Sequence, residues 1–331
     1  MRSGHLTQTT ATGRGVAATV RDMDDSELPI MKDPAVADAF ELLTEKLSGS
    51  DLRLFLRRVA ATRAGSIDPG GVLRQQQTDR FCETSDIDAA ALARASADAL
   101  ERAEEAGFDP LQLSPLAPLG ACSTFGSVAQ ANVVTTMQLC EIVSDPTSAL
   151  ALAAAARRRL LRDSPETTRL SAVQRVVRAK QFDAPGALAH FSMFGLVSVG
   201  SDRGGRRFEV EELTNQLRML VDVITTVQPS GQIIIEVSDN SGRRNEAEAL
   251  VDSLADGAET KVGRPRPDIS GHYPNLFAKL SWSGRGTTVE LGYGGVASWP
   301  SEFTAARKEQ VVVAGLDIDR LVEVSSPRRM H

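Results

Sequence analysis

The chain has 331 residues, of which 42% are apolar and 24% charged, with a formal net charge of −6. That length suffices for one large domain or two modest ones with an ample core, and the acidic balance speaks against broad nucleic-acid binding. No apolar run reaches the ~18 residues of a membrane span and no apolar stretch opens the N-terminus, so a cytoplasmic protein without a secretory signal is expected.

Residues 1–30 are rich in Thr, Gly, Arg and Asp without periodicity, and are expected to form a disordered tail. Residues 31–85 are expected to be a helical extension. Over 34–64, Val36, Phe40, Leu43 and Leu47 share one helical face, and Leu52, Leu54, Phe55 and Val59 continue the pattern. Arg53, Arg57, Arg58 and Arg63 stud the second of these helices and read first as a solvated face. Residues 86–331 then form the core. A helix is predicted over 89–106, with Leu92, Ala95, Ala99 and Ala103 on one side and Gly107-Phe108 ending it. A short strand is predicted at 111–115, stopped by Pro115. Residues 133–143 read as one strand or two. Asp145-Pro146-Thr147 opens a helix over 148–161, with Asp145 as N-cap and Pro146 at its first position. Arg157, Arg158, Arg159 and Arg162 near its end suit the helix dipole.

Strands are predicted at 173–182 and 191–200, antiparallel about the loop Asp183-Ala-Pro-Gly186. A helix at 212–227, a buried strand at 232–237 and a helix at 245–254 follow. Residues 256–274 read as loop, and 276–280 and 287–291 as strands. The last ordered segment, Val311-Val-Val-Ala-Gly-Leu-Asp-Ile-Asp-Arg320, reads as a buried strand, a glycine turn at Gly315 and a helix that Asp317 N-caps. Arg320 then falls in the first helical turn, a position suited to gripping a triphosphate or stacking on a purine. The elements interleave helices with mainly antiparallel strands, which is an α+β pattern.

Several chemistries are disfavoured. Cys82, Cys122 and Cys140 stand far apart and fit reduced thiols better than disulfides or zinc ligands. His5 and His331 lie at the chain ends, so His190 and His272 alone make a poor basis for a metal cluster or a Ser-His-Asp triad. No P-loop is present, and the glycines around Gly292, Gly294 and Gly295 make no dinucleotide fingerprint.

Four segments in order resemble the catalytic core of class II aminoacyl-tRNA synthetases. The likeness is nearest to histidyl-tRNA synthetase and its relative, the regulatory subunit of ATP phosphoribosyltransferase, and it covers roughly residues 89 to 324. The helix leading to Ala106-Gly-Phe-Asp-Pro-Leu-Gln-Leu-Ser-Pro115 looks like motif 1, which implies a homodimer. Ile142-Val-Ser-Asp-Pro-Thr147 is similar to the family's Arg-Pro-Glu-x-Thr turn, which implies that Asp145 and Thr147 hold an α-ammonium. Arg175-Val-Val-Arg-Ala-Lys-Gln-Phe182 and His190-Phe-Ser-Met-Phe-Gly-Leu-Val-Ser-Val-Gly200 look like motif 2, with Arg178 at the arginine that grips the α-phosphate of ATP. The segment at Gly315–Arg320 looks like motif 3, with Arg320 packing on ATP. Leu291-Gly-Tyr-Gly-Gly295 falls where the histidyl group has a Gly-Gly-Arg-Tyr-Asp turn, which puts Gly294 beside the substrate. ATP and Mg²⁺ are thus implied by the resemblance alone.

The departures are specific. Lys180 replaces the motif 2 glutamate. Met193 and Val197 stand where the histidyl group reads the imidazole, so the implied side-chain pocket is apolar. Gly294-Gly-Val-Ala-Ser298 replaces the histidyl turn, and the histidyl catalytic arginine stretch has only a loose echo in Arg266-Pro-Asp-Ile and His272-Tyr273. Only 11 residues follow Arg320, so an anticodon domain and a full tRNA are not expected. The leading expectation is ATP-dependent activation of an amino acid or related acid, with Arg178 and Arg320 as catalytic residues. The alternative is a non-catalytic class II paralogue acting as regulatory or ligand-sensing subunit of another enzyme.

Overall fold

The computed structural model describes residues 29–125, 130–160, 166–179, 189–202, 204–298 and 309–325. Residues 1–28 of the expected tail, Lys180, Arg162 and the loop at 183–186 lie outside the described residues. Among the described residues no helix is long and apolar enough to cross a membrane.

Three helices open the chain. α1 (Pro34–Glu41) is capped by Asp33, whose carboxylate accepts from Ala35 N at 2.9 Å, and runs into a π-helical turn at Leu42–Lys46. α2 (Gly49–Ala64) is capped by Ser48. α3 (Pro69–Thr78), not foreseen from periodicity, is capped by Asp68. None of the three buries a side chain.

The core follows. α4 (Ala89–Glu105) buries Ala95, Ala99 and Ala103 and stops at Gly107, whose φ of 83° is the left-handed state that glycine tolerates. β1 is only Asp109–Pro110, earlier than the predicted 111–115 strand. Leu111 N still donates to Ser171 O at 2.8 Å, but prolines at 110 and 115 remove ladder donors and the chain leaves the sheet. β2 (Leu116–Pro118) and β3 (Cys140–Ile142) form a separate two-stranded sheet around α5 (Ala121–Phe125). α6 (Pro146–Leu160), β4 (Thr168–Val177), β5 (His190–Ser201), α7 (Arg207–Val227), β6 (Gln232–Asp239) and α8 (Arg244–Ser253) follow the predicted order. β7 (Glu259–Val262) is a strand inside the predicted loop. β8 (Leu276–Gly284), β9 (Thr287–Ala297), β10 (Glu309–Asp317) and α9 (Ile318–Ser325) complete the described chain.

The large sheet has eight strands in the order β1-β4-β5-β10-β9-β8-β6-β7. Its interior pairs are antiparallel, and the edge pairs β1/β4 and β6/β7 are parallel. Alternation along the strands sorts side chains to two faces. On one face, Phe194, Leu196, Val312, Ala314 and Leu316 join Leu213, Leu217 and Leu220 of α7 in the main core. On the other, Leu170, Val197, Val199 and Val313 pack with Leu150 and Ala154 of α6.

Two glycine expectations change. Gly315 is not a turn; it pairs with Gly195 on β5 and Tyr293 on β9 in mid-strand. Gly292–Gly295 likewise lies within β9. A side chain at Gly292 would run into the carbonyl of Gly315, so glycine serves close strand approach here, not reversal.

The start of β10 is fixed by a buried ion pair. Arg158 of α6 donates Nε to Glu309 Oε1 at 2.7 Å, with side-chain exposures of 5% and 3%. Removing Glu309 takes the counter-charge from a buried guanidinium that keeps its hydrogen bond to the Glu166 carbonyl at 2.7 Å. Glu309→Ala is therefore expected to lower unfolding free energy by about 3–5 kcal/mol in urea titrations. The double replacement Arg158→Met/Glu309→Leu should cost much less, because no lone charge remains.

Candidate functional site

Among the described residues, the sheet face opposite α7 packs against α6 and, beside Val176 and Met193, against Ala117, Ala121 and Val143, and polar side chains gather beyond the start of α6. Gly195 sets the geometry. A Cβ there would lie 2.8 Å from Cγ of Pro146, so the first turn of α6 rests directly on β5. Asp145 caps that turn: its Oδ1 accepts from Thr147 N at 2.9 Å and from Thr147 Oγ1 at 2.7 Å.

Arg178 stands one residue beyond β4 and reaches the same place. Its Nε donates to the Ser144 carbonyl at 3.1 Å, and its Nη2 to Asp145 Oδ2 at 3.3 Å and to Met193 Sδ at 3.2 Å. The guanidinium also lies 5.1 Å from the Phe191 ring centroid, within cation–π range. Arg178, Asp145, Thr147 and Met193, spread over the sequence, thus form one cluster. The ion pair is about a quarter exposed.

Across the strands, Gln174, Met193 and Asp317 are register neighbours on β4, β5 and β10. Asp317 caps α9 as expected, accepting from Arg320 N at 3.0 Å, and pairs with Arg320 Nε at 3.4 Å. Burial pushes its carboxyl up to about 6, against the hydrogen bond and charge of Arg320 and the charge of Arg178. Asp317 therefore feels both arginines. Arg320, half exposed, also donates to the Glu290 carbonyl at 3.1 Å.

Aromatic rings continue the face. Tyr273 lies on Gly295, where a Cβ would sit 2.5 Å from its Cδ1. His272, Tyr273, Phe277 and Tyr293 follow one another with ring centroids 4.2, 5.2 and 5.5 Å apart. Burial pushes the Tyr273 hydroxyl up, with the Asp145 charge adding to it, and pushes His272 down. A cavity of about 10 Å³ between Thr147, His272, Ser298 and Val313 has room for about one water.

Not every predicted site residue arrives. Val197 is fully buried and packs with Leu150 and Leu170 as core. Gly294 faces the opposite side, where a Cβ would meet Leu213 and Ala314. Gly315 is on the site face, beneath Met193. Gln174 is a site neighbour with no signal in the sequence beyond the period of two along β4, and Asp317, which reads as a helix cap, also lies on the site face.

Cys122 is buried, which pushes its thiol up to about 11 and makes a thiolate nucleophile unfavourable. Among the described residues no three His, Cys, Asp or Glu side chains are grouped to hold a metal. Mg²⁺ here would take most of its ligands from phosphates and water.

No family model and no curated protein matches the chain. Solved structures do. An ATP phosphoribosyltransferase regulatory subunit/histidyl-tRNA synthetase from Bacillus halodurans aligns at a TM-score of 0.59 and 14% identity, over 76% of this chain and 83% of that one. Apo histidyl-tRNA synthetase from S. aureus aligns at 0.55 and 13%, over 72% and 68%. A histidine–tRNA ligase subunit from Alicyclobacillus acidocaldarius aligns at 0.53 and 12%, over 74% and 96%. At these identities the shared property is the fold, which is class II synthetase-like: α+β, with a mixed eight-stranded sheet flanked by helices.

The raised Asp317 carboxyl has a direct consequence for stability. Its folded value exceeds an unfolded value near ~4, so the folded state binds the extra proton between about pH 4 and 6. The contribution is complete below ~4 and lost as pH rises through about 6, on the order of 2 kcal/mol. Asp317→Asn, which keeps a capping side chain, should flatten that part of the stability–pH curve in denaturant titrations.

Proposed function

We propose that the chain binds a small zwitterion, an amino acid or close relative, and works as a ligand-sensing class II-like subunit of another protein and not as an adenylating enzyme. The observation that carries this reading is the Arg178–Asp145 pair, 3.3 Å apart and only partly exposed. An anion and a cation side by side are the complement of an amino acid's head group. Asp145 with Thr147 suits the ammonium, and Arg178, with its planar fork, suits the carboxylate. A pair only about a quarter exposed gains little net free energy, because desolvation offsets much of its attraction. A zwitterion entering between the two restores a partner to each charge.

Adenylation asks for more. It needs cations aimed at the α-phosphate and outer phosphates. Arg178 is turned to the Ser144 carbonyl and Asp145, at the amino-acid end. Arg320 is held by Asp317 and the Glu290 carbonyl. The Bacillus halodurans protein, an ATP phosphoribosyltransferase regulatory subunit/histidyl-tRNA synthetase, is consistent with a fold that serves either role. On the sensing reading the partner is the protein being regulated, and the segment resembling motif 1 would form a homodimer in the cytoplasm.

One observation favours the second reading, ATP-dependent activation of an acid. The Arg320 guanidinium is half exposed, on the face that carries Arg178, so a nucleotide could reach it. Met193 would then line an apolar side-chain pocket, and phosphate-bound Mg²⁺ would serve the reaction.

Calorimetry with a panel of amino acids and pyrophosphate exchange test both. Expected is binding of at least one amino acid, weakened about 30-fold or more by Asp145→Ala or Arg178→Ala, with no exchange. Exchange that needs both Arg178 and Arg320 would establish the second reading. Failure of every amino acid to bind would end the first.

A further inference from the structure

We infer that the cavity between Thr147, His272 and Ser298 seats the ligand's ammonium group, with the His272 imidazole as one of its acceptors, so that the chain selects a primary amine. On the amino-acid-binding reading above, on which this rests, His272 becomes a specificity residue and the ligand acquires a size limit at its nitrogen.

The backbone delivers His272 firmly. His272 N and Tyr273 N donate to the Ile269 carbonyl at 3.0 and 2.9 Å, and Ser298 N donates to the His272 carbonyl at 2.9 Å. Asn240 Nδ2 donates to the Tyr273 carbonyl at 2.7 Å. The ring stands edge-on to Tyr273, which itself lies on Gly295. Yet among the described residues neither ring nitrogen of His272 has a hydrogen-bond partner. A half-buried imidazole held in this way leaves its polar atoms to be satisfied by whatever enters the cavity beside it.

Size and polarity identify the occupant. The cavity has room for about one water, and an ammonium group is of similar size. Thr147 Oγ1 gives its proton to Asp145 Oδ1 at 2.7 Å, and Ser298 Oγ gives its proton to the Gly271 carbonyl at 3.0 Å. Both hydroxyls therefore have only acceptor capacity left. Burial pushes the His272 imidazole below its ordinary range, so at neutral pH one ring nitrogen is unprotonated and accepts as well. The Asp145 charge reaches the ring and adds attraction for a cation. An ammonium has three N–H donors; Asp145, Thr147 and His272 offer it three acceptors. The other walls include Phe125, Ala151 and Val313, all buried and apolar. A methyl group on the nitrogen would have to displace one of them.

Calorimetry on the full chain tests this. The standard amino acids are titrated first, and the tightest is compared with its N-methyl derivative and its des-amino counterpart. On the unmodified chain the N-methyl derivative should bind about tenfold or more weakly, a result that needs no variant to fold. His272→Phe keeps the ring packing and removes the acceptor. It should weaken the amino acid about tenfold while leaving the des-amino acid within about twofold. An N-methyl derivative as tight as its parent, equal losses for the two acids in His272→Phe, or no loss for either would overturn the assignment of His272 and its cavity while amino-acid binding through Asp145 and Arg178 stood. No binding by any amino acid would end both readings together.

Discussion

The site depends on one steric constraint: the central strands must be bare where something lies on them. Gly195 is the critical case. With no side chain, β5 lets Pro146 sit against its backbone, and the cap residue Asp145 comes to rest within reach of Arg178. Gly295 does the same for Tyr273, and Gly292 for the backbone of β10. A methyl group at the first of these would lift the start of α6 and pull the ion pair apart. Glycine here acts by close approach, with no demand on φ.

Electrostatics then decide what the cluster offers. Arg178 and Arg320 on this face each have an internal anion. Arg178 has Asp145 and Arg320 has Asp317, and Asp317 sits deep enough that burial holds its proton more tightly than usual. Such a face is balanced as it stands. A ligand that brings both signs of charge can replace the internal pair without leaving a charge alone, whereas a polyphosphate would pull both arginines from their carboxylates. That asymmetry, more than any single contact, favours a zwitterion.

The N-terminal helices follow the opposite logic. The core closes on itself, with Leu213, Leu217 and Phe194 fully buried, while α1, α2 and α3 present apolar side chains to solvent. Their caps at Asp33, Ser48 and Asp68 are well formed, so local chemistry supports helices of which no side chain is buried among the described residues.

Much of the fold was legible because it rests on local chemistry. The Asp145-Pro146-Thr147 helix start, the Gly107 stop, the antiparallel β4/β5 pair and the Asp317 cap all follow from residues a few positions apart. The ordered segments also pointed to a class II-like core. The errors share one cause. Gly315 reads as a turn, and Val197 and Gly294 as ligand neighbours, because neither strand pairing nor which helix covers each face is written in local spacing. Arg178 and Asp145 are 33 residues apart, and no spacing rule brings them together. The sequence by itself determined most of the core elements, their order and the caps at Asp145 and Asp317, since those depend on neighbours along the chain. Only the tertiary structure decided which face became the site and which charges met, because strand register and the seat of α6 are set by contacts between distant segments.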